Sequence, residues 1–400
     1  MVLSSHKHIF HCLESIDIIS FIQIYIINST KKYLSMTLAI LCLTLVSFFI
    51  FFYVYIGYPI LLWFLSKLGL TKKVFQDEKT LPNVALLISC YNEIKVINEK
   101  IENTLAIDYP KEKLKIIIIS DGSDDGTDEA IKKYTEQNIS LIRQEGRLGK
   151  TSAINLAMAD IKAEIVVFSD ANAMYETNAI KKLVRNFADK SVGYVVGAAL
   201  YTDGDTNAAA ASEDIYWKYE VALKRLESSI HSVVGGDGAM YAIRSELFIT
   251  LDAKDINDFV NPLQIIEQGY RGVFEHEARC FEETAGDFTK EAKRKERIVN
   301  RSFRGLMKVR SVMNPFKSGF FSLEIISHKL LRWLMPVFIA IIALGSIYLS
   351  YQDYSFFQLI SCSGLLFLWL AQIGYFQSKR ENISSFFFIP YYFLMVNYYS

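Results

Sequence analysis

The chain has 400 residues, of which 51% are hydrophobic and 14% aromatic, so it can build a large core and also supply membrane spans. Its 43 lysines and arginines balance 43 aspartates and glutamates, and this neutral charge gives no general reason to expect a nucleic-acid partner. The five cysteines are scattered without metal-ligand spacing, which favours a thiol-reducing compartment over a disulfide framework.

The N-terminal region contains one predicted transmembrane helix. Residues 34–66 carry no charge, a run too long for one straight span and too short for two. We expect the helix to extend from about Met36 to Tyr58, where Pro59 breaks it, and an interfacial stretch to follow. Residues 1–33 are then an N-terminal extension, which is either an interfacial helix or lies upstream of a true start at Met36.

Further apolar runs predict membrane segments near the C-terminus. One uncharged run extends over residues 333–352 and a second over 354–378, and a last apolar segment begins at Ser384. We therefore assign residues 333–400 to C-terminal transmembrane helices and residues 311–332 to an amphipathic interfacial helix that precedes them.

Basic residues beside the spans predict their orientation. Lys67, Lys72 and Lys73 follow the first span on the side of the central domain, and Lys379 and Arg380 lie between the last two apolar segments. Cytoplasmic loops carry an excess of such residues, so we expect an integral protein of the inner (plasma) membrane with its central domain in the cytoplasm.

The central residues 80–310 alternate short apolar runs with polar, helix-like stretches. The runs are VALLISC (84–90), KIIIIS (115–120), ISLI (139–142) and EIVVFSD (164–170). Because they are continuously apolar rather than alternating, we expect strands buried on both faces of a mainly parallel sheet. The clearest predicted helices cover residues 128–134, 151–161 and 177–187. This α/β doubly wound pattern places ligands beyond the carboxyl ends of the strands.

The stretch EGRLGKTSAIN (145–155) resembles the end of a P-loop. The first glycine of that motif would fall at position 144, which is Gln144, so a membrane NTPase is a disfavoured alternative. Lys150 nevertheless stands at a predicted helix N-terminus, where a cation opposes the helix dipole. This placement favours a bound anion such as a diphosphate over a solvated lysine.

Seven segments occur in the order expected of family 2 glycosyltransferases. They are LISCYNE, YPKEKLKIIIISDGSDDGT, GRLGKTSAIN, VVFSDANAMY, GGDGAMYAIR, NDFVNPLQI and RKERIVNR. Together they resemble the membrane-integral inverting branch that includes hyaluronan, chitin and cellulose synthases. The resemblance implies a GT-A-type nucleotide-sugar-binding domain between N- and C-terminal transmembrane helices.

The resemblance also implies a UDP-sugar site at the strand ends. The residues expected to bind the nucleotide sugar are Tyr91, Glu93, Asp121, Arg147, Lys150, Asp170 and Arg297. Tyr91, Glu93 and Asp121 would surround the uridine. A turn role is the alternative for Asp121, and Asp125 is expected to cap the next helix.

SDAN (169–172) stands where the family has its metal motif. Asp170 matches, and Asn172 replaces the second aspartate, so the implied cofactor is Mg²⁺ or Mn²⁺ with weak affinity when nucleotide is absent. NDFVNPLQI implies that Asp258 is the catalytic base, which takes the proton of the acceptor hydroxyl. The alternative for Asp258 is a helix cap, and Asn257 replaces the acidic residue that often precedes the base.

GGDG (235–238) and the basic segment after it imply the acceptor side. The expected acceptor-binding residues are Gly236, Asp237, Gly238 and Arg294. In the Q-x-x-R-W motif of processive synthases, Arg294 replaces the glutamine and the tryptophan is missing, which weakens the case for long chains.

The implied activity is transfer of a sugar from a UDP-sugar donor to a growing polysaccharide or a lipid-linked acceptor at the cytoplasmic face of the lipid bilayer. Export or assembly subunits are conceivable partners, and nucleic acid is not expected. The alternatives are a non-processive transferase that adds one sugar to a lipid carrier, and a non-catalytic sugar-binding subunit.

Overall fold

The computed structural model describes residues 5–201, 208–282, 288–377 and 385–398. The chain divides into two compact units. The first comprises Met1–Phe52 and Pro336–Trp369, and the second comprises Tyr53–Met335 and Leu370–Ser400.

The helices of the described residues are α1 (Ser5–Phe52), α2 (Tyr58–Lys67), α3 (Ile97–Leu105), α4 (Thr127–Lys132), α5 (Lys150–Met158), α6 (Ala179–Val184), α7 (Ala208–Ile230), α8 (Asn257–Glu267), α9 (Phe288–Lys308), α10 (Pro315–Ser318), α11 (Phe321–Ile325), α12 (Leu331–Trp333), α13 (Met335–Ser350), α14 (Ser355–Gln377) and α15 (Ser385–Tyr398). The strands are β1 (Val84–Cys90), β2 (Leu114–Ser120), β3 (Ile139–Arg143), β4 (Ile165–Asp170), β5 (Met174–Tyr175), β6 (Val192–Tyr201), β7 (Tyr241–Arg244) and β8 (Arg271–Glu282). Single π-helical turns at Tyr53–Gly57 and Ile326–Leu330 connect α1 to α2 and α11 to α12.

Pro59 does not break the first predicted span. The helix that is long and apolar enough to cross a membrane runs from Ile27 to Lys67 and includes this proline. Pro59 lies in the first turn of α2, directly after the π-helical turn Tyr53–Gly57, and the helix continues past it. The expected end of the helix near Tyr58 is therefore wrong, and most of the expected extension 1–33 belongs to α1.

The C-terminal apolar runs also form helices. Among the described residues, α14 is the second helix that is long and apolar enough to cross a membrane. Phe321–Trp333 and Met335–Ser350 qualify together as a third candidate if they form one span, and α15 is a shorter apolar helix. The predicted interfacial segment is partly buried, since Phe321 and His328 are almost inaccessible to solvent.

In the first unit, α1 packs closely against α13. The hydroxyl groups of Thr37 and Tyr348 are 3.0 Å apart. A Cβ atom at Gly345 would overlap the side chain of Thr44, so the absence of a side chain there permits the close approach of the two helices.

In the second unit, the described strands form one sheet in the order β3-β2-β1-β4-β7-β6-β8-β5. β3, β2, β1 and β4 are parallel, and β7 pairs antiparallel with β4 and β6. The four predicted strands are confirmed, each to within one residue at either end. The mixed half of the sheet, from β7 to β5, extends the parallel half.

Two apolar cores cover the two faces of this sheet. Ile88 and Ile118 belong to one core, and their neighbours Leu87 and Ile117 belong to the other. Burial of successive residues on opposite faces explains why the strands read as unbroken apolar runs. The chain leaves the core at the carboxyl ends of β1, β2 and β4, and the polar side chains of the site follow there.

Candidate active site

Asp121 follows β2 and holds the loop that precedes α5. Its carboxylate is almost buried, and Oδ1 accepts hydrogen bonds from the N–H groups of Leu148 and Gly149, both at 3.0 Å. The side-chain amide of Gln144 donates to the same oxygen at 2.5 Å. The amides that a P-loop would direct at phosphate are therefore bound to Asp121. Gln144, which the sequence showed only as a missing glycine, is part of this arrangement.

Tyr91 and Arg147 form a stacked pair beside this loop. The guanidinium carbon of Arg147 lies 4.1 Å from the centroid of the Tyr91 ring. Aromatic rings and guanidinium planes both stack on nucleobases, so the pair offers a surface for one. Glu93 lies nearby, and burial raises the pKa of its carboxyl, with the charges of Asp170 and Asp125 raising it further.

Asp125 stabilises the start of α4, although Gly126 occupies the N-cap position. Its Oδ1 accepts from the N–H of Thr127, the first residue of the helix, at 3.0 Å. Its Oδ2 accepts from the N–H of Ile94 at 3.1 Å. The expected cap at Asp125 is therefore wrong, since Gly126 is the N-cap residue; the carboxylate instead supports the first turn and ties it to the loop after β1.

Lys150 is the first residue of α5 and pairs with Asp170 at the end of β4. Its Nζ lies 2.5 Å from Oδ1 of Asp170, and both side chains are about one-third exposed, at 34% and 29%. Burial lowers the pKa of Lys150, but the charges of Asp170 and Asp258 and the hydrogen bond outweigh burial and raise the pKa overall. The anion beside this lysine at the helix end is thus Asp170.

The GGDG loop lies against both key carboxylates. A Cβ atom at Gly238 would be 3.2 Å from Oδ2 of Asp258, 3.3 Å from Oδ2 of Asp170 and 3.5 Å from Nζ of Lys150. At Gly236, a Cβ atom would lie 2.7 Å from the backbone oxygen of Asp258, which accepts the Gly236 N–H. The space beside Gly238 is therefore the point at which Asp170, Lys150 and Asp258 meet.

Asp258 lies in the first turn of α8 but does not cap it. The N-cap residue is Ile256, and no side-chain capping bond is made. The Oδ1 atom of Asp258 is buried and has no hydrogen-bond partner within the described residues. Burial raises the pKa of this carboxyl, Lys150 lowers it, and Asp237 and Asp170 raise it, so that the pKa lies above its ordinary value. Such a carboxylate is suited to accept a proton.

Tyr241 connects the strand that carries Asp170 to the helix that carries Asp258. Its ring stacks on Phe168 of β4 with 4.6 Å between centroids. Its hydroxyl oxygen accepts from the side-chain amides of Asn257 at 2.8 Å and Asn261 at 3.2 Å. Asn257 therefore supplies an N–H donor that an acidic residue at this position would lack.

On the expected acceptor side, Asp237 lies 3.4 Å from Nζ of Lys224. Glu282, at the end of β8, was not predicted from the sequence. Burial and the charges of Asp237 and Asp170 raise the pKa of its carboxyl, Arg294 and Lys150 lower it, and the net pKa is about 7. These mutual influences place Glu282 and Arg294 at the edge of the site. β8 mixes charged with apolar residues, so no local pattern in the sequence marked Glu282.

Two other predicted residues lie further out. Arg297 is exposed on α9, and the contacts of the described residues do not join it to this cluster. Asn172 is exposed two residues after Asp170. Their nucleotide-binding and metal-binding roles stay predictions.

Asp170 is the residue that best fits a divalent cation. It is partly exposed at a strand end, and both it and Asn172 offer the oxygen donors that Mg²⁺ and Mn²⁺ prefer. Within the described part of the chain, no group of three or more His, Cys, Asp or Glu side chains is placed to hold an ion. This sparse donor set suits a cation that takes its remaining ligands from a nucleotide and water.

Comparison with known proteins identifies the domain around this site. The model of "Glycosyl transferase family 2" matches residues 85–249. Poly-beta-1,6-N-acetyl-D-glucosamine synthase of Staphylococcus aureus (strain COL) is 36% identical over 132 residues, which are 32% of this chain and 31% of that protein. "Probable glycosyltransferase YdaM" of Bacillus subtilis (strain 168) is 31% identical over 129 residues, 30% of each chain. The matched regions thus span less than a third of these relatives.

A solved structure shares the fold over a longer region. A mannosyltransferase from Pyrobaculum calidifontis, determined in complex with GDP-Man and Mn²⁺, superimposes with a TM-score of 0.62 and 23% identity. The match covers 80% of this chain and 95% of that one. Residues 85–249 of the chain thus match family 2 glycosyltransferases, and the sheet with its two cores shares its fold with a solved glycosyltransferase.

Proposed function

We propose that this protein is a membrane-integral, inverting glycosyltransferase that uses a UDP-sugar and a divalent cation. The observation that carries the proposal is the convergence of Asp170, Lys150 and Asp258 beside Gly238. The named activity of the Staphylococcus aureus relative supports a growing polysaccharide as the acceptor. The GDP-Man and Mn²⁺ in the mannosyltransferase complex support a nucleotide sugar bound with a divalent cation.

The donor would lie across the ends of β1, β2 and β4. Its base would contact the Tyr91–Arg147 pair, with Asp121 accepting from the uridine in addition to holding the loop. Its diphosphate would reach Lys150 at the start of α5, where the helix dipole and a cationic side chain both favour an anion.

Asp170, with Asn172, would hold the divalent cation against the diphosphate. A bound divalent cation neutralises the charge that develops on the departing nucleoside diphosphate. Lys150 adds a second positive charge on the same side, so no protein acid is required to protonate the leaving group.

Asp258 would act as the general base. Its unpaired Oδ1 takes the proton of the acceptor hydroxyl while the acceptor oxygen bonds to the anomeric carbon and the bond from that carbon to the diphosphate oxygen breaks. A single displacement of this kind inverts the anomeric centre. The raised pKa of Asp258 strengthens it as a proton acceptor.

The membrane setting follows from the apolar helices. The span candidates Ile27–Lys67 and α14 favour an integral membrane protein, and the basic residues beside the spans favour a cytoplasmic catalytic domain in the inner (plasma) membrane. The basic residues of α9 would lie near anionic lipid headgroups or the acceptor, with Arg294 toward the site.

A non-processive transferase is the second candidate, because Ile298 occupies the position where processive synthases carry a tryptophan. An NTPase is disfavoured, since the amides of Leu148 and Gly149 donate to Asp121 rather than being free for a triphosphate. A non-catalytic subunit is disfavoured by the unpaired carboxylate of Asp258.

The test measures release of UDP by membranes that contain the full chain, with a panel of UDP-sugars and with Mg²⁺, Mn²⁺ or a chelator. Turnover is expected only with a divalent cation. Asp258→Asn should lower turnover by about 10²–10⁴-fold while UDP binding persists. Asp252→Asn, which changes an exposed aspartate six residues away, is the matched control.

Full turnover in Asp258→Asn would remove Asp258 as the base. Hydrolysis of ATP without a sugar donor would instead support the NTPase. The length of the glycan product, measured on a gel, separates processive synthesis from single transfer.

A further inference from the structure

A fully buried lysine lies directly behind the predicted metal site. Lys100 of α3 is 0% exposed, and its Nζ donates a 2.9 Å hydrogen bond to Oγ of Ser169. It also donates to the backbone oxygen of Ala173. The two acceptors are the first and last residues of the turn 169–173, which contains Asp170 and Asn172.

The same ammonium group lies over an aromatic ring that is itself tied to the site. Its Nζ is 4.2 Å from the centroid of Tyr175. The Tyr175 hydroxyl donates to the backbone oxygen of Ala239, at 3.0 Å. Ala239 directly follows Gly238, so Lys100 and Tyr175 connect the turn 169–173 with the GGDG loop.

Burial of an ammonium group is unfavourable, and an apolar side chain such as methionine could fill the same space without that cost. Within the described residues, the two hydrogen bonds of the Lys100 side chain both go to the turn, at Ser169 and Ala173. Ser169, which accepts from Lys100, in turn donates to the backbone oxygen of Asp170 at 3.0 Å. The lysine therefore determines the shape of the backbone on both sides of Asp170.

We propose that Lys100 is a positioning residue, which holds the turn 169–173 in the conformation that directs Asp170 toward the divalent cation of the nucleotide sugar. The proposal rests on the proposed function. Lys100 does not touch substrate or cation, and it acts through the backbone of the turn.

Removal of Lys100 should change cation affinity in two ways, and these have opposite signs. Loss of a basic group near the site can only favour a bound cation electrostatically. Loss of the two hydrogen bonds releases the turn and weakens cation binding, as loss of outer-shell partners of metal ligands generally does, by about 10–100-fold. Weaker cation binding after removal of Lys100 would therefore show that the lysine positions the turn.

The experiment measures Mn²⁺ binding by electron paramagnetic resonance, with the full chain purified in detergent and saturating UDP. Lys100→Met is expected to weaken Mn²⁺ binding at least about tenfold. Ser169→Ala removes one acceptor and should weaken binding in the same direction, which keeps the test decisive if Lys100→Met does not fold. Asn103→Ala is the control, because it removes two hydrogen bonds between α3 and Tyr175 and leaves the lysine in place.

Unchanged or tighter Mn²⁺ binding in Lys100→Met, or in Ser169→Ala where only that variant folds, would overturn the positioning role and leave the proposed function standing. Weakening of equal size in Asn103→Ala would also overturn it, because general loosening of α3 would then be the cause. If the unchanged protein binds no Mn²⁺ with UDP, the proposed function fails, and the role of Lys100 fails with it.

Discussion

The ammonium group of Lys150 lies 2.5 Å from Oδ1 of Asp170, the carboxylate that we propose as the metal ligand. A lysine and a divalent cation cannot both approach the same oxygen at full strength, because their charges repel. Lys150 therefore neutralises the charge of Asp170 in this arrangement. In the proposed function, the diphosphate of the nucleotide sugar would become the better partner for the lysine.

Replacement of Lys150 should lower the affinity for UDP and raise the affinity for Mn²⁺. In Lys150→Met, UDP affinity in the presence of Mn²⁺ should fall about tenfold or more, since a hydrogen bond to a charged group contributes about 1.5–3 kcal/mol. Mn²⁺ affinity without UDP should rise, because Asp170 loses a competitor. Isothermal titration calorimetry measures both. Lys133→Met, at an exposed position, is the control, and unchanged UDP affinity would make Lys150 a partner of Asp170 alone.

Gly238→Ala should damage catalysis more than folding. The added methyl group would lie 3.2 Å from Asp258 and 3.3 Å from Asp170, so both carboxylates must shift by tenths of an ångström. A misplacement of about 1 Å costs about 10²-fold in rate, so we expect a loss on the order of tenfold in kcat with a nearly unchanged melting temperature. Gly364→Ala is the control, because no atom lies within 4 Å of a Cβ atom there. An unaltered kcat would show that substrate does not use this space.

Gln144→Gly completes the G-x-x-x-x-G-K-T pattern, and it should not create an ATPase. The N–H groups of Leu148 and Gly149 still bond to Asp121, which keeps them away from a triphosphate. The variant should instead weaken UDP binding, since the loop loses the donor that joins it to Asp121. Phosphate release from ATP and UDP titration give the two readouts. ATP hydrolysis in this variant, absent before the change, would contradict the assignment of the loop.

His231 should make stability depend on pH. Burial, together with the charges of Lys72 and Arg271, lowers the pKa of its imidazole to about 4; Glu324, 3.8 Å from Nδ1, is the facing acid. The unfolded chain takes up this proton near pH 6.5, so it binds more protons than the folded chain between about pH 6.5 and 4. The stability of the neutral buried form is thus present above that range and is lost as the pH falls through it.

Thermal unfolding of the detergent-solubilised chain between pH 7 and pH 4 tests this expectation. His231→Asn should show a smaller decrease in melting temperature toward low pH than the unchanged protein. His276→Asn, at a half-exposed position, should retain the original decrease. Identical pH profiles for His231→Asn and the unchanged protein would show that the imidazole protonates equally in both states.

The parallel half of the sheet was predictable because each strand carries its own local signal. β1 to β4 are continuous β-branched runs that end at polar residues, and the structure confirms them. β7 has four residues, and β8 includes Glu275 and Glu277, which pair with Arg185. Such strands are specified by partners far along the chain, and no local pattern marks them. The predicted helix end at Pro59 was wrong for a related reason, since the effect of a proline depends on its position within the helix.

The candidate site was predictable as a set of residues, and less so as a set of contacts. Asp170, Lys150, Asp258 and Gly238 are brought together in the structure. Gln144 and Asp121, which form a hydrogen bond, are 23 positions apart in the chain. Lys100 and Ala173, which form another, are 73 positions apart. Pairings of this kind depend on the folded sheet, and neither residue type indicates them.

Tyr241 restricts how the proposed site could change. Because its ring stacks on β4 while its hydroxyl binds two amides of α8, it holds the strand of the proposed cation ligand to the helix of the proposed base. A new acceptor cannot be accommodated by widening the gap between this strand and helix without breaking the tyrosine contacts. Selection for altered product should therefore act on the surfaces that Tyr241 does not bridge, chiefly Glu282 and the exposed side of α9. An engineer seeking a different linkage would begin there and leave the strand and helix joined by Tyr241 untouched.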